Sequence, residues 1–286
     1  MPAWRTSTRA LLATALLAPV AWSAAPSSAA SSTMALGTYN IRAGVSTGTF
    51  RSAVTALIGR VQVAGLQEVN SHAKESVLGS LSGWSYFRSP YQHGEQTPVI
   101  WNTGVFKFLS ARSPRLSKAT YVGHELPGRN GHLPPYYATV VRLMYLPTGQ
   151  RISIVNVHLV PGAIQGGVPI RGRAKVLRLY LLEVAHLAEV TKAERTLGPV
   201  YVLGDFNVGW KADMKHHHPG WPYRTFKALG MRSMWATERP AKRGTHSTSL
   251  IDQVFARAAA STATVAFAIK YSDHFPAIAH YVMPGS

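Results

Sequence analysis

The apolar residues of this chain fall into short blocks with the two-residue period of strands, and two longer blocks carry a helical period. Residues 200–203 form an unbroken run of Val, Tyr, Val and Leu, the pattern of a strand covered on both faces. Gly204 follows as its predicted exit, and Asp205 and Asn207 then stand one residue apart, with Phe206 between them. Alternate side chains of extended backbone share a side, so Asp205 and Asn207 should face one point with Phe206 packed beneath. Similar blocks predict strands over residues 34–41, 61–69, 249–256, 261–271 and 277–283. Two more surround the PTGQ turn, at 136–146 and 151–159, as a hairpin. The blocks WSYFRS and TPVIWNTGVFKFLS predict an antiparallel stretch. Helices are expected over 50–60, with Phe50, Val54, Leu57 and Ile58 on one face, and over 172–196, with Leu177, Leu181, Val184 and Ala188 as the buried stripe. No repeat or linker interrupts the pattern, so residues 34–286 are expected to form one α/β domain.

Against this apolar background a few polar residues stand at the predicted strand ends: Asn40, Glu68, His158, Asp205, Asn207, Asp252 and the pair Asp273-His274. A carboxylate can orient and deprotonate a water, and an amide can hold a phosphate oxygen. Taken singly, each has an ordinary structural explanation: a DxN turn, an exposed edge glutamate, or a hydrogen-bonded histidine at a strand end. The run His216-His217-His218 is internal, and consecutive histidines cannot all reach one ion in regular structure, so a solvated loop is expected there.

Charge then narrows the class. The 286 residues carry 30 Lys plus Arg against 12 Asp plus Glu, a net charge of +18. Such an excess attracts polyanions, either nucleic acid or an anionic lipid surface. Residues 1–30 have the form of a secretory leader, with Arg5 and Arg9 ahead of an apolar stretch over 11–22 that is too short to span a bilayer. A retained anchor is the weaker explanation, because Pro19 interrupts the stretch. Loss of the leader takes the charge down by two, to +16, and places the chain outside the cell. It has no cysteine, so its stability there rests on the core. Arg171, Arg173, Lys175 and Arg178 crowd the start of the second helix, against its dipole. A bound polyanion would compensate them; a solvated basic loop is the equal alternative.

The motifs TYNIR, LQEV, NVHL, GDFN, LIDQVF and SDHFP occur in the order found in the endonuclease/exonuclease/phosphatase superfamily, and the chain resembles that family from residue 35 to 283. The resemblance implies a four-layered α/β sandwich of two packed mixed β-sheets, the DNase I-like fold. It also implies hydrolysis of phosphate esters with Mg²⁺, Mn²⁺ being the alternative ion. By that resemblance Glu68 is the principal metal ligand, Asn40 touches metal or phosphate, and Asp273 supplies a second metal contact. Asp205 orients or deprotonates the attacking water, and Asn207 supports it and the phosphoryl oxygens. His274 binds phosphate or moves a proton, with Asp252 behind it to fix its tautomer. His158 matches a second histidine of the DNase I and sphingomyelinase branches that pairs with a glutamate, for which Glu95 is the candidate. Arg42 stands where base-excision members have an aspartate, and no hydrophobic hairpin of the membrane-inserting type is evident.

The expected function is therefore a secreted, monomeric nuclease, with Trp101, Arg112, Arg115, Arg129, Arg171, Arg173 and Arg178 as a groove for the nucleic-acid backbone. A phospholipase C, sphingomyelinase or inositol-phosphate hydrolase on a phospholipid surface is the alternative, with Trp210, Trp221 and Trp235 available as membrane contacts, although burial is the usual explanation for such aromatics. A non-catalytic polyanion-binding protein is the third reading.

Overall fold

The computed structural model describes residues 1, 32–126, 130–237 and 243–284. The leader after Met1 and Arg129 lie outside the described residues.

Twelve strands make two six-stranded sheets. Numbered in chain order they are β1 (Ser32–Asn40), β2 (Val63–Gln67), β3 (Trp84–Phe87), β4 (Val99–Asn102), β5 (Phe106–Arg112), β6 (Thr139–Tyr145), β7 (Gln150–His158), β8 (Val200–Asp205), β9 (Arg232–Ser233), β10 (Asp252–Ala256), β11 (Thr262–Val265) and β12 (Ala277–Met283). The first sheet has the order β11-β12-β1-β2-β4-β3 and the second β9-β10-β8-β7-β6-β5. Each is antiparallel except for one central parallel pair, β1 with β2 and β7 with β8. Helices α1 (Thr47–Ile58) and α2 (His72–Gly79) cover the outer face of the first sheet through Phe50, Val54, Leu57, Val77 and Leu78. Helices α3 (Ala174–Arg195) and α5 (Pro222–Ala228), with α4 (Trp210–His216) preceding α5, lie toward the second sheet; Val176, Tyr180, Val184, Leu187 and Phe226 cover its outer face. The result is the four-layered sandwich with two mixed sheets.

The unbroken apolar run of β8 follows from this layering. Val200 and Val202 face the helices, while Tyr201 and Leu203 face the other sheet. Gly204 is not the exit from the strand. It lies within β8 at φ 144°, where a Cβ would come 2.0 Å from the Val157 carbonyl oxygen. The block TPVIWNTGVFKFLS divides between the sheets, with β4 in the first and β5 in the second. The strand expected over 261–271 ends at Val265, after which Ala266 and Ile269 turn onto the outer face of the first sheet. The stripe of α3 is rotated from the expected one: Val176, Leu179, Tyr180, Glu183, Val184 and Leu187 are buried, and Leu177 and Leu181 only partly.

Three polar side chains sit between the sheets, close to the strand ends. Asn156 of β7 donates both amide protons to carbonyls of the opposite sheet, Leu66 at 2.8 Å and Pro98 at 2.9 Å. Gln67 donates to the Asn156 Oδ1 at 2.7 Å and to the Thr38 hydroxyl at 3.1 Å. All three are fully buried, so the hydrogen bonds are obligatory, a buried unpaired amide costing about 1–3 kcal/mol. The amide reaches across because residue 65 has no side chain: a Cβ on Gly65 would stand 2.1 Å from Leu203 Cδ1 and 2.5 Å from Asn156 Cγ.

Helix α3 also carries a buried carboxyl group. Glu183 accepts from the Ser117 hydroxyl at 3.0 Å and the Val160 N–H at 2.8 Å. Burial outweighs these two bonds and raises its pKa from 4.5 to about 8.

Two tests follow from this packing. Gly65→Ala should destabilise the fold by about 1–3 kcal/mol or more, read as a lowered denaturation midpoint; an unchanged midpoint would mean that the sheets do not approach as described. Glu183 binds its proton more tightly folded than unfolded, so its contribution is full below pH 4.5 and is lost as pH rises to about 8. The slope is up to about 1.4 kcal/mol per pH unit. Glu183→Gln keeps an acceptor for the Val160 N–H and turns an amide N–H toward the Ser117 hydroxyl oxygen, without the charge. Its unfolding free energy relative to wild type should therefore grow with pH across that window, and a constant difference would contradict the account.

Candidate functional site

The sheet registers bring the polar strand ends together. In the second sheet His158 is opposite Asp205, and Asp205 is opposite Asp252. In the first, Asn40 pairs with Gln67, which places Glu68 beside it. The turn before β12 delivers His274 to the same end. Asn40, Glu68, His158, Asp205, Asn207 and His274 line one cleft of about 380 Å³, a size suited to a small ligand or part of a polymer.

Asp205 is its centre, with only 2% of its surface exposed. Its Oδ1 accepts from the Asn207 backbone N–H at 2.9 Å, and its Oδ2 from the Asn40 amide at 3.1 Å. His158 Nε2 lies 3.6 Å and His274 Nε2 3.9 Å from the same Oδ2. Burial alone would raise the Asp205 pKa; the charges of His158 and His274 and the two hydrogen bonds outweigh it and hold the group below its ordinary value. Asp205 is thus ionised at neutral pH and fixed in position. Asn207, at φ 51°, is held by donating its side-chain amide to the Leu159 carbonyl at 2.8 Å.

Behind Asp205 stands a charge pair. His274 Nδ1 lies 2.9 Å from Asp252 Oδ2. Burial lowers the affinity of His274 for its proton, but the charge and hydrogen bond of Asp252, followed by the charges of Asp205 and Asp273, overcome it and raise the pKa to about 10. The imidazolium therefore persists through neutral pH. Asp205, Asp252 and His274 lie close enough to be taken for a metal cage. However, Nδ1 is taken by its hydrogen bond to Asp252, and Nε2 stands 3.9 Å from Asp205, an electrostatic contact beyond hydrogen-bond reach, so the three form a charge cluster around one imidazolium.

Glu68 occupies a left-handed backbone conformation, φ 64°, uncommon for a residue with a side chain. The conformation turns its carboxylate back over the sheet end, where Oε2 accepts from the Ala43 N–H at 2.6 Å and Oε1 from the Asn40 amide at 3.1 Å. Asn40 Oδ1, beside it, is buried with no hydrogen-bond partner. A carboxylate next to an orphaned amide oxygen is a donor set for a hard cation, so the residues present fit a divalent ion of the magnesium type.

Several expected partners are elsewhere. Glu95 does not pair with His158: the parallel register of β7 and β8 turns His158 to Asp205, while Glu95 lies in the loop before β4 of the other sheet with its Oε2 buried and unpartnered. Asp273 does not line the cleft; its carboxylate is 46% exposed, 3.9 Å from Arg42, and accepts from the Ser272 hydroxyl. At the start of α3, Glu125 Oε2 accepts the backbone N–H groups of Lys175 and Val176 at 2.8 and 2.9 Å, so the chain itself places a carboxylate on the helix N-terminus. Arg173 donates to the Gly162 carbonyl at 2.9 Å, while Arg171 and Arg178 are exposed. Trp101 is a core residue stacked on Phe108, and Arg112 is bound to the buried Glu194 at 2.7 Å, so neither is free for a groove; Arg115 is exposed. Trp210, Trp221 and Trp235 are all buried, which removes them as membrane contacts. The three successive histidines form no cluster: His217 packs on Tyr223 and His218 on Trp221.

A model described as the Endonuclease/Exonuclease/phosphatase family matches residues 37–274. The chain belongs to the endonuclease/exonuclease/phosphatase family. Enzymes of this family hydrolyse phosphoric esters and are generally dependent on a divalent metal ion. Solved structures share its fold. The mannosyl-6-phosphatase of Bacteroides thetaiotaomicron is similar with a TM-score of 0.65 and 17% identity, over 87% of this chain and 99% of that one. TDP2 of D. rerio, complexed with single strand DNA product, has a TM-score of 0.62 and 14% identity, over 87% of this chain and 99% of that one. The human Nocturnin catalytic domain, with bound sulfate anion, has a TM-score of 0.58 and 14% identity, over 88% of this chain and 95% of that one. No curated protein sequence matches the chain significantly.

In this family member Asp205→Asn and His274→Ala should each lower kcat by about 10²–10⁴-fold on any ester it hydrolyses. Asp252→Asn should act in the same direction by releasing the imidazolium. Kinetics beside a melting curve checks this; near-wild-type turnover in His274→Ala would remove the His274–Asp252 pair from the chemistry.

Proposed function

We propose that this protein is a secreted, Mg²⁺-dependent phosphodiesterase that cleaves the nucleic-acid backbone with an activated water, acting as a monomer. The observation that carries the hydrolytic reading is the buried, ionised Asp205, held by four groups at the floor of a cleft that has an imidazolium on one side and an oxygen donor set on the other. A phosphodiester is anionic and repels its own nucleophile, so the site must neutralise charge, align a water and protonate the departing oxygen. Asp205 is placed to orient a water and take its proton. His274, kept protonated by Asp252, offers charge and a donor to a phosphoryl oxygen. His158, within 3.6 Å of Asp205, adds a second ring that can hold or deliver a proton. Glu68 and the Oδ1 of Asn40 would hold the metal ion, which when bound neutralises phosphoryl charge.

Nucleic acid is favoured over lipid by charge and by where it sits. Arg171 is exposed two residues before Arg173, which is tied to Gly162, the neighbour of cleft-lining Pro161, and Arg178 is exposed on the second turn of α3. The lipid alternative loses its tryptophans to the core. The leader-like residues 2–30 support export. Cleavage of plasmid in Mg²⁺, set against hydrolysis of sphingomyelin vesicles and inositol phosphates, tests the reading; intact plasmid alongside hydrolysed vesicle lipid would reverse it.

Two quantitative outcomes are expected. EDTA abolishes turnover, Mg²⁺ restores it, and Glu68→Gln raises the Mg²⁺ concentration needed; full activity in metal-free buffer would contradict the assignment. Binding to duplex DNA weakens with salt at a slope of roughly 0.9 per phosphate contacted. Arg171→Ala with Arg178→Ala should flatten that slope and leave turnover of bis-p-nitrophenyl phosphate intact. An unchanged slope would place the contact surface elsewhere.

A further inference from the structure

His246 belongs to no part of the machinery described so far, yet it lines the same cleft. Its ring packs on His274 with centroids 4.5 Å apart and planes inclined by 36°. The turn that carries it is tightly held. His246 bridges His274 through the backbone, its N–H donates to the Ser249 carbonyl at 3.1 Å, and the Ser249 N–H returns to the His246 carbonyl at 2.9 Å. The preceding Thr245 accepts the Phe275 N–H at 2.7 Å on its carbonyl and the Asp252 N–H at 3.1 Å on its hydroxyl. Ser247 completes the turn at φ 50°. One turn therefore fixes His246, His274 and Asp252 together.

Within this rigid frame the ring nitrogens of His246 bond no protein group among the described residues. A half-buried histidine held by its backbone, stacked by its ring and left with free nitrogens in a cleft is placed to meet a ligand. Stacking alone would be served as well by an apolar ring, and the nitrogens are what distinguish histidine from phenylalanine there.

We propose that His246 is a further substrate contact, hydrogen-bonding a non-bridging oxygen of the phosphoryl group held beside His274; this rests on the phosphoric ester hydrolase reading. Two neighbouring imidazoles would then grip one tetrahedral anion from adjacent directions and fix its orientation above Asp205.

The test compares wild type, His246→Phe and His246→Asn in Mg²⁺ buffer. Inorganic phosphate binding is measured by calorimetry, bis-p-nitrophenyl phosphate turnover by steady-state kinetics, and folding by thermal melting. His246→Phe keeps the stack and loses the hydrogen bond to an anion, so phosphate affinity and kcat/KM should each fall roughly tenfold to a hundredfold at an unchanged melting temperature. His246→Asn should recover part of both. If His246→Phe fails to fold, His246→Ala against His246→Asn makes the same comparison, and the donor must account for the difference. Wild-type affinity and kcat/KM in the non-donating variant, with wild type active, would overturn the inference alone. A wild-type protein that neither binds phosphate nor hydrolyses any ester would overturn the underlying reading and the inference with it.

Discussion

Asn156 ties the two sheets together at the depth where the cleft begins. Its amide donates to two carbonyls of the opposite sheet and accepts from Gln67, and the space for it exists because Gly65 has no side chain. The site needs this tie. Asn40, Glu68 and His274 come from the first sheet and its loops; His158, Asp205, Asn207 and Asp252 come from the second. Apolar packing between sheets is tolerant of small shifts, whereas three satisfied hydrogen bonds in a dry interface are not. The distances around Asp205 are set by that register before any ligand arrives.

A second constraint is electrostatic. Asp205 and Asp252 are buried side by side on neighbouring strands, an arrangement that burial and mutual repulsion both oppose. His274 lies between them and holds its proton because both carboxylates demand it. Removing His274 leaves the two buried carboxylates facing each other without a cation, so its chemistry and its contribution to stability are coupled. The same crowding makes Asp205 a fixed anion where a water would have to be oriented. The left-handed backbone at Glu68 and Asn207 adds local strain at this end of the sandwich, and such strain is usually located at a functional site.

Much of this was legible along the chain because strand ends are marked by abrupt changes from apolar to polar residues. The run before Asp205, the ends of β1 and β7, and the Asp-His pair before β12 are all visible that way, and a single register then brings them together. Partnerships across space were less visible. Glu95 lies in the loop before β4 with its Oε2 unpartnered, while His158 faces Asp205 within the second sheet. The carboxylate that caps the basic start of α3, Glu125, lies some fifty residues earlier in a stretch without periodicity. Trp210, Trp221 and Trp235 are buried, the usual place of such aromatics, and Trp101, expected in a groove, is a core residue as well. Asn156 and Gln67 stood inside the recognised motifs without attracting notice, because nothing in an amide's sequence position says that it faces another sheet. His246 carried no signal at all, since its place depends on a turn that folds back onto His274.

The central claim is that a water held by Asp205 displaces the leaving oxygen at phosphorus in one step. The stereochemical course of the reaction tests it most directly. A chiral phosphorothioate diester hydrolysed in isotopically labelled water should give product with inverted configuration at phosphorus, one displacement having occurred. Retention would mean two displacements through a covalent enzyme intermediate and would contradict the account.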